Sequence, residues 1–578
     1  MRQRTSLAEA EAVVANLAFA LMLAFGFVLI LIETRGLSFY SDEWDFLLDR
    51  RGVSAHVLLS PHGPHLVLIP ILVYKALLQI FGASSYLPFR VLAAVDMVLV
   101  AWMLGFICRR RWGPWWGLVP VALLIALGPG YPTLIYPFQV GYTLGLFGGL
   151  LTLVTIRWQT RRGDLIACLA LLVSLASASQ GVGFVVGAAF YLTISERSEA
   201  RGWMPRWMGR CWVVVVPAIL YLIWYELYGR QASESDLSLW TTAFSYCLNG
   251  LAATFSGLFA LTGVQGYLLN IGPGWPILIA AVLALIVAGL RGWRPSVDFW
   301  TPLLILVVLF FMTAISNTPA SPRAYNDPRY LSSNAVILMI VACAAIPRPQ
   351  LRRSVTALIL ALVAIVAVTN VEQYAVGRAT LKPTATYARA QTGALLLMRG
   401  VVAATFNPSV VAGNPGRVQN VEAGAFFSAY DAFGTLLSDT PAQLRRASEP
   451  VRVVIDQELV RGERLHLERS TPSGASGASG ASAPLVLRGS HRISRSCAIV
   501  TGSTLTFRAS PGTYELTASR QGALRTHIAR FATLNSLPLG TVPSGGSTTL
   551  LIPKDREPLT PWRVNLAGRG GRVCRLPS

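Results

Sequence analysis

The chain reads as a polytopic α-helical membrane domain of about 11 spans, followed by an extracytoplasmic α+β tail that ends in a β-sandwich. Three observations lead there. Of 578 residues 53% are hydrophobic and only 13% charged, an apolar share above that of a soluble domain. Apolar runs that approach bilayer thickness recur as far as residue 370 and then stop. Beyond residue 484, short runs rich in strand-forming residues are separated by Gly, Pro and Ser.

Ala15 to Ile32 opens the series and is too long for a signal-peptide core. Arg2 and Arg4 precede it, so the positive-inside rule places the N-terminus in the cytoplasm. Further spans are expected at 87–107, 115–130, 142–156, 165–178, 180–195, 211–227, 274–290, 299–315, 331–346 and 355–370. The loops carrying Arg109 to Arg111, Arg157 with Arg161 and Arg162, Arg197 to Arg210, Arg291 with Arg294, and Arg348 with Arg352 and Arg353 then all face inward. That parity requires 66–81, which contains Pro70, Lys75 and Gln79, to lie in the outer interface instead of crossing. The expected organisation is a transmembrane catalytic domain over 1–370 with a long first outer loop at 33–86, a helical extracytoplasmic linker region over 371–470, a flexible linker at 471–483 and a β-sandwich over 484–578. Such a chain is an integral protein of a bacterial cytoplasmic membrane with its C-terminal domain outside.

The net charge of +21 rests on 46 Arg against 3 Lys, a bias expected of GC-rich coding. No nucleic-acid-binding motif accompanies it, so nucleic acid is not an expected partner. Cys108, Cys168, Cys211, Cys247 and Cys343 lie in or beside apolar spans, where a small buried hydrophobe suffices. Cys497 and Cys574 fall in the outer tail, where an oxidising compartment allows them to bridge as a disulfide.

Ser41-Asp42-Glu43-Trp44-Asp45 places three carboxylates in four residues just beyond the first span. Acids simply solvating a loop would explain them; acids at a membrane surface are costly, however, and tend to be functional. Ser60-Pro61-His62-Gly63-Pro64-His65 follows as a turn. Its two histidines suit a phosphate or sugar hydroxyl, leave a divalent metal open, or merely cap the next helix. Pro322 to Tyr330 carries Arg323, Arg329, Tyr325 and Tyr330 on the outer side, against the inward trend of the basic residues. Arginine presents a planar, permanently charged fork to phosphate, although Arg-Tyr pairs also anchor helices at the interface. Arg90, at the outer start of the second span, is a further candidate.

An inner N-terminus, a first outer loop opening on Asp42-Glu43, interfacial helices in that loop, about eleven spans and an outer C-terminal domain together resemble the GT-C superfamily of membrane glycosyltransferases. That superfamily includes the protein O-mannosyltransferases, the aminoarabinose transferase of lipid A and the arabinofuranosyltransferases. The resemblance covers roughly residues 10–370 and implies a catalytic acid at Asp42 with Glu43 as its partner. It further implies a sugar-phosphate-binding loop at Arg329-Tyr330. Several relatives carry Asn-Glu-His where this chain has His62-Gly63-Pro64-His65, so only His65 corresponds.

The expected activity is transfer of a sugar from a polyprenyl-phosphate donor to an outer acceptor hydroxyl on a glycan, lipid or protein, with inversion. The catalytic candidates are Asp42, Glu43 and Asp45, and the donor-binding candidates are His62, His65, Arg90, Arg323, Arg329 and Tyr330. A transporter or flippase of lipid-linked saccharide, or a non-enzymatic envelope assembly protein, would share the polytopic pattern. Transport predicts polar residues at mid-span on broken helices. In the tail, Tyr514, Phe531 and Trp562 are candidates for stacking on carbohydrate or for the core of a sandwich.

Overall fold

The structure is a computed structural model that describes every residue except 1, 40, 196–208, 233–234, 262–263, 266–267, 320–321, 409–420, 470–485, 489–490, 493–495, 501–502, 557–559 and 578. The expected flexible linker at 471–483 and most of the basic loop 197–210 lie outside the described residues. Two compact units emerge, one of residues 1–35, 52–80 and 87–381, the other of residues 36–51, 81–86 and 382–578.

In chain order the helices are α1 (Arg2–Glu33), α2 (Glu43–Leu48), α3 (Ala55–Leu59), α4 (Leu68–Phe81), α5 (Leu87–Trp112), α6 (Leu118–Ile125), α7 (Tyr131–Leu134), α8 (Val140–Thr155), α9 (Arg161–Leu175), α10 (Gly181–Ser195), α11 (Trp212–Trp224), α12 (Trp240–Leu258), α13 (Gly274–Leu290), α14 (Val297–Ile315), α15 (Leu331–Ala345), α16 (Arg353–Leu397), α17 (Ala423–Phe433), α18 (Pro441–Arg446) and α19 (Glu449–Gly462). Among the described residues seven helical stretches are long and apolar enough to cross a membrane: Ala10–Glu33, Leu87–Trp112, Pro137–Trp158, Trp212–Ala232, Val297–Ile315, Pro328–Ala345 and Arg353–Leu397. α4, α10 and α13 are apolar but shorter.

Three expectations need correction. The span expected at 115–130 is only the eight-residue α6, because Gly117 precedes it and Gly128-Pro129-Gly130 turns the chain after it. The segment 228–273, read as outer loop, contains the 19-residue α12. Gly250 of α12 packs on Phe310 near the Ile315 end of α14, and Gly257 packs on Leu331 at the start of α15. α12 therefore runs across those helix ends. The last expected span continues without a break into α16, 45 residues long, since Pro383 is accommodated inside it.

Within the first unit, Arg111 and Arg157 both reach Asp298 at the start of α14, at 3.4 and 2.8 Å. The Trp112 indole donates to the Ile346 carbonyl just past α15, at 3.0 Å. α5, α8, α14 and α15 thus share a basic end, and their opposite ends are Leu87, Val140, Ile315 and Leu331. α8 and α9 approach closely because Gly141, Gly145 and Gly148 face α9. A Cβ on Gly148 would lie 2.6 Å from the Ala170 carbonyl oxygen, and the Ser174 hydroxyl donates to the Gly145 carbonyl at 2.6 Å.

In the second unit, α2 buries Trp44, Phe46, Leu47 and Leu48. Trp44 packs against Phe426 of α17, with ring centroids 6.3 Å apart. Where a β-sandwich is expected there are two antiparallel sheets, built from β3 (Leu467–Arg469), β4 (Val486–Arg488), β5 (His491–Arg492), β6 (Cys497–Val500), β7 (Thr504–Ala509), β8 (Gly512–Ala518), β9 (Leu524–Ala529), β10 (Leu537–Val542), β11 (Ser547–Ile552), β12 (Trp562–Ala567) and β13 (Gly571–Arg575). β1 (Val264–Gln265) and β2 (Leu268–Leu269) form a small hairpin in the first unit. The larger sheets run β10-β9-β12-β7-β4 and β3-β11-β8-β13-β6-β5. Alternate residues of β7 and β8 are buried, and Phe507 meets Tyr514 across the two sheets at 5.5 Å. Cys497 and Cys574 are joined by a disulfide between β6 and β13.

Helix α19 is tied to the five-stranded sheet by two carboxylates. Asp456 accepts the N–H groups of Arg530, Phe531 and Ala532 at 2.9, 2.8 and 3.0 Å, and Glu449 accepts those of Thr533, Leu534 and Asn535 at 2.9, 2.6 and 3.0 Å. Six consecutive donors after β9 are satisfied by one helix, each by a charge-assisted bond. Beside them the buried Arg530 guanidinium meets Asp555 and lies 3.5 Å from Glu463, while the Trp562 indole donates to Glu463 at 3.3 Å. Tyr514, Phe531 and Trp562 are 1%, 3% and 2% exposed, so all three belong to the core and none offers a ring to carbohydrate.

Burial, and after it the neighbouring Asp555, push Glu463 from its ordinary 4.5 up to about 8 against the pull of Arg530. Folded Glu463 keeps a proton across that window that the unfolded chain gives up, so stability of the second unit falls as pH rises from about 4.5 to about 8. Amides of β9 and β12 are expected to be less protected at pH 8 than at pH 5 once intrinsic exchange is corrected. The isosteric Glu463→Gln should level that difference.

Candidate functional site

The acidic cluster belongs to the second unit, where its three carboxylates have different surroundings. Glu43 opens α2 and is fully buried, and both its oxygens lie 2.9 Å from the Tyr86 hydroxyl, which donates to them. Asp45 is half-buried and pairs with Arg50 at 3.6 Å. Asp42, at the N-terminal boundary of α2, is half-buried and accepts from the Ser41 hydroxyl at 3.3 Å. Ser41 itself has φ of 52°, a left-handed backbone that side-chain-bearing residues seldom adopt, so the chain is turned sharply into Asp42.

The first unit contains a cavity of about 180 Å³ with a mixed polar and apolar wall at the Ile315 and Leu331 ends of α14 and α15. Its wall includes His65, Tyr142, Gln180, Tyr221, Arg323 and Tyr330. Gly145 leaves the room that Gln180 occupies, since a Cβ there would stand 2.8 Å from the Gln180 amide nitrogen. That amide donates to the Tyr142 carbonyl. Arg323 is held through its backbone, its N–H donating to Asn317 at 2.6 Å and its carbonyl accepting the Tyr246 hydroxyl at 2.8 Å. Arg323 itself is part of the cavity wall.

Both nitrogens of His65 are engaged, Nδ1 at 2.7 Å from the Ser179 hydroxyl and Nε2 at 3.2 Å from the Tyr142 hydroxyl. Burial, followed by the positive charges of Arg323, His62 and Arg329, pushes the imidazole from 6.5 down to about 3. His65 is therefore a neutral ring with one nitrogen donating and the other accepting. It fixes hydroxyls and adds no charge.

The remaining donor-binding candidates have other work. Arg329 turns to Asp327, with Nε 2.6 Å from the carboxylate, and its carbonyl receives the Thr133 hydroxyl at 2.6 Å. His62 forms a two-way backbone bridge with His65 at 3.1 and 3.2 Å, with its ring 5.1 Å from Phe138. Arg90 donates to the Thr34 hydroxyl at 3.2 Å and to the Leu31 carbonyl, joining α5 to the end of α1. None of these three is among the cavity-lining residues, whereas Arg323, His65 and Tyr330 are. Tyr142, Ser179, Tyr221, Tyr225, Ser235, Thr313, Ser316, Ser333 and Asn334 also line the cavity and escaped sequence reasoning. Gln180 had a signal, the tight Gln-Gly turn between two apolar runs. Among the described residues no three His, Cys, Asp or Glu side chains are grouped to hold a metal ion.

An apolar groove of about 470 Å³ adjoins the cavity. Leu169, Leu172 and Val173 of α9 form one wall, Pro217, Leu220 and Ile223 of α11 another, and Leu66, Leu68 and Ile69 contribute as well. Tyr221 lines both spaces. The indole of Trp224 ties α11 to the Leu59 carbonyl at 2.8 Å, and the Ile69 N–H donates to the Ala176 carbonyl at 3.0 Å. These bonds hold the segment that carries His65 beside α9 and α11.

No protein-family model matches this chain, and no curated protein matches it in sequence. Among solved structures it is similar to the crystal structure of ArnT from Cupriavidus metallidurans bound to undecaprenyl phosphate, with a TM-score of 0.42 and 13% identity over 74% of this chain and 90% of that one.

The lowered His65 pKa has a stability consequence. On acidification below 6.5 the unfolded chain protonates this histidine while the folded chain does not until about pH 3, so stability present at pH 7 is lost as pH falls through that window. Thermal unfolding of the detergent-solubilised protein should move to lower temperature between pH 7 and pH 5. His65→Asn, which cannot titrate, should show a smaller shift.

Proposed function

We propose that this chain is a membrane glycosyltransferase of GT-C type that takes a sugar from a polyprenyl-phosphate donor and passes it to a hydroxyl acceptor. The observation that carries this reading is the shared Tyr221: a cavity with a guanidinium, hydroxyls and amides on its wall and a groove with an almost wholly apolar lining have this residue in common. A molecule with a long hydrocarbon tail and a charged, hydroxyl-rich head matches that pair of environments. On this reading the shorter helices complete a bundle of about eleven spans, with the basic helix ends in the cytoplasm and the cavity at the outer surface. The tail then matures outside, where the Cys497–Cys574 bridge is at home.

The chemistry assigned is a single inverting displacement. The acceptor oxygen bonds to the anomeric carbon as its proton passes to a carboxylate, and the bond from that carbon to the phosphate oxygen breaks. The polyprenyl phosphate departs with the electron pair, and its added charge is met by preorganised donors. We assign the base to Asp42, half-buried at the N-terminal boundary of α2; Glu43 is buried against Tyr86 and Asp45 pairs with Arg50. Arg323 is assigned the phosphate, in preference to Arg329 with its Asp327 partner. Glu43 and Asp45 are assigned the positioning of α2 and of Asp42, which precedes it.

Asp42→Asn should lower transfer by about 10²–10⁴-fold, with donor binding retained, in membranes supplied with a lipid-linked donor. Near-parental turnover would remove Asp42 as base. Arg323→Ala should weaken donor binding by about tenfold or more, the worth of a charge-assisted hydrogen bond, while Arg329→Ala should act mainly through the fold of its loop. Val173→Trp, which fills the groove, should raise KM for long-chain donors and spare short-chain ones.

A further inference from the structure

We infer that the cavity selects a sugar phosphate whose sugar is free of cationic amines, an uncharged hydroxyl or N-acyl sugar. This rests on the reading of the cavity as a donor-headgroup site and deepens it. The wall combines one guanidinium, Arg323, with neutral hydroxyl and amide groups from Tyr142, Gln180, Tyr330, Ser333 and Asn334. Among the described residues lining it there is no carboxylate. Such a wall offers an anion a cationic partner and offers sugar hydroxyls both donors and acceptors. To an ammonium group the described residues of the wall offer only acceptors of partial charge, together with the repulsion of Arg323; the assigned base Asp42 serves the acceptor hydroxyl and is not among the lining residues.

His65 stands on the same wall. Its ring is bonded at both nitrogens, and its burial first, then Arg323, His62 and Arg329, oppose its protonation, so it adds no charge of either sign to the cavity. An ammonium brought into the cavity would be a second cation beside Arg323. Like charges brought together oppose binding, so the discrimination is set by the wall before any reaction begins.

The test is competitive binding to the detergent-solubilised full chain of three short-chain polyprenyl phosphates, carrying a hydroxyl sugar, the matching sugar with one free amine, and the N-acetylated form of that amine. At pH 7 the hydroxyl and N-acetyl forms should bind about tenfold or more tighter than the amine, as like-charge repulsion requires, and the difference should shrink at a pH high enough to neutralise the amine. Asn334→Asp, which adds a carboxylate to the wall, should narrow or reverse the preference. Equal or tighter binding of the amine by the unmodified chain would overturn the inference. Discrimination in binding without transfer from any of the three would leave it standing and sink the glycosyl-transfer reading. Failure of all three to bind would overturn both.

Discussion

The first unit turns on how closely α8 and α9 approach. Gly141, Gly145 and Gly148 strip one face of α8 of side chains, so the backbone of α9 comes within reach of it. In a bilayer, where apolar contact alone gives helices little reason to pair, that proximity gains dispersion contacts and a Ser174 hydrogen bond. Ser179 and Gln180, which follow α9, are thereby placed beside Tyr142 at the start of α8, and His65 is bonded between Ser179 and Tyr142. A side chain at Gly145 would displace Gln180 first.

The second unit obeys a different constraint. Its sheets need the loop after β9 to be capped, and Asp456 and Glu449 cap it by receiving six consecutive N–H groups. The buried Asp456 carboxylate is tolerated there because its three bonds are short and directed. Arg530 works on the opposite balance, one cation between two acids; burial, and after it Asp555, keeps the proton on Glu463 against the pull of Arg530. The loop segments 36–51 and 81–86 join this unit through Trp44 on Phe426 and through the Leu437 N–H on the Ala83 carbonyl at 2.8 Å.

Uninterrupted apolar stretches such as α1, α5 and α14 were legible in the residues alone, since a span needs only length and hydropathy. α12 was not, because its Trp240, Thr, Ser, Tyr and Asn residues dilute its apolar face, which packs across the ends of other helices. β10 was hidden by Pro538 and Gly540, where its register against β9 shifts, and β13 by Arg572 and Arg575 in a five-residue strand. At the site, Arg323, His65 and Tyr330 stood out as polar residues between apolar runs. Tyr142, Tyr221 and Asn334 did not, since each sits on a helix whose composition alone calls for burial in the bundle, and only tertiary folding brings them together. The burial of Glu43 against Tyr86, 43 residues away, left no local mark either.

On the proposed reading the groove beside the cavity opens to the bilayer. Leu169, Leu220, Ile223 and Leu227 of its lining are half or more exposed within the chain itself, so acyl chains of ordinary phospholipids would occupy it whenever the donor is away. Occupancy then depends on mole fraction within a two-dimensional solvent, and bulk concentration is the wrong axis for any titration. An alkyl detergent used for extraction is, by the same geometry, already a competitor.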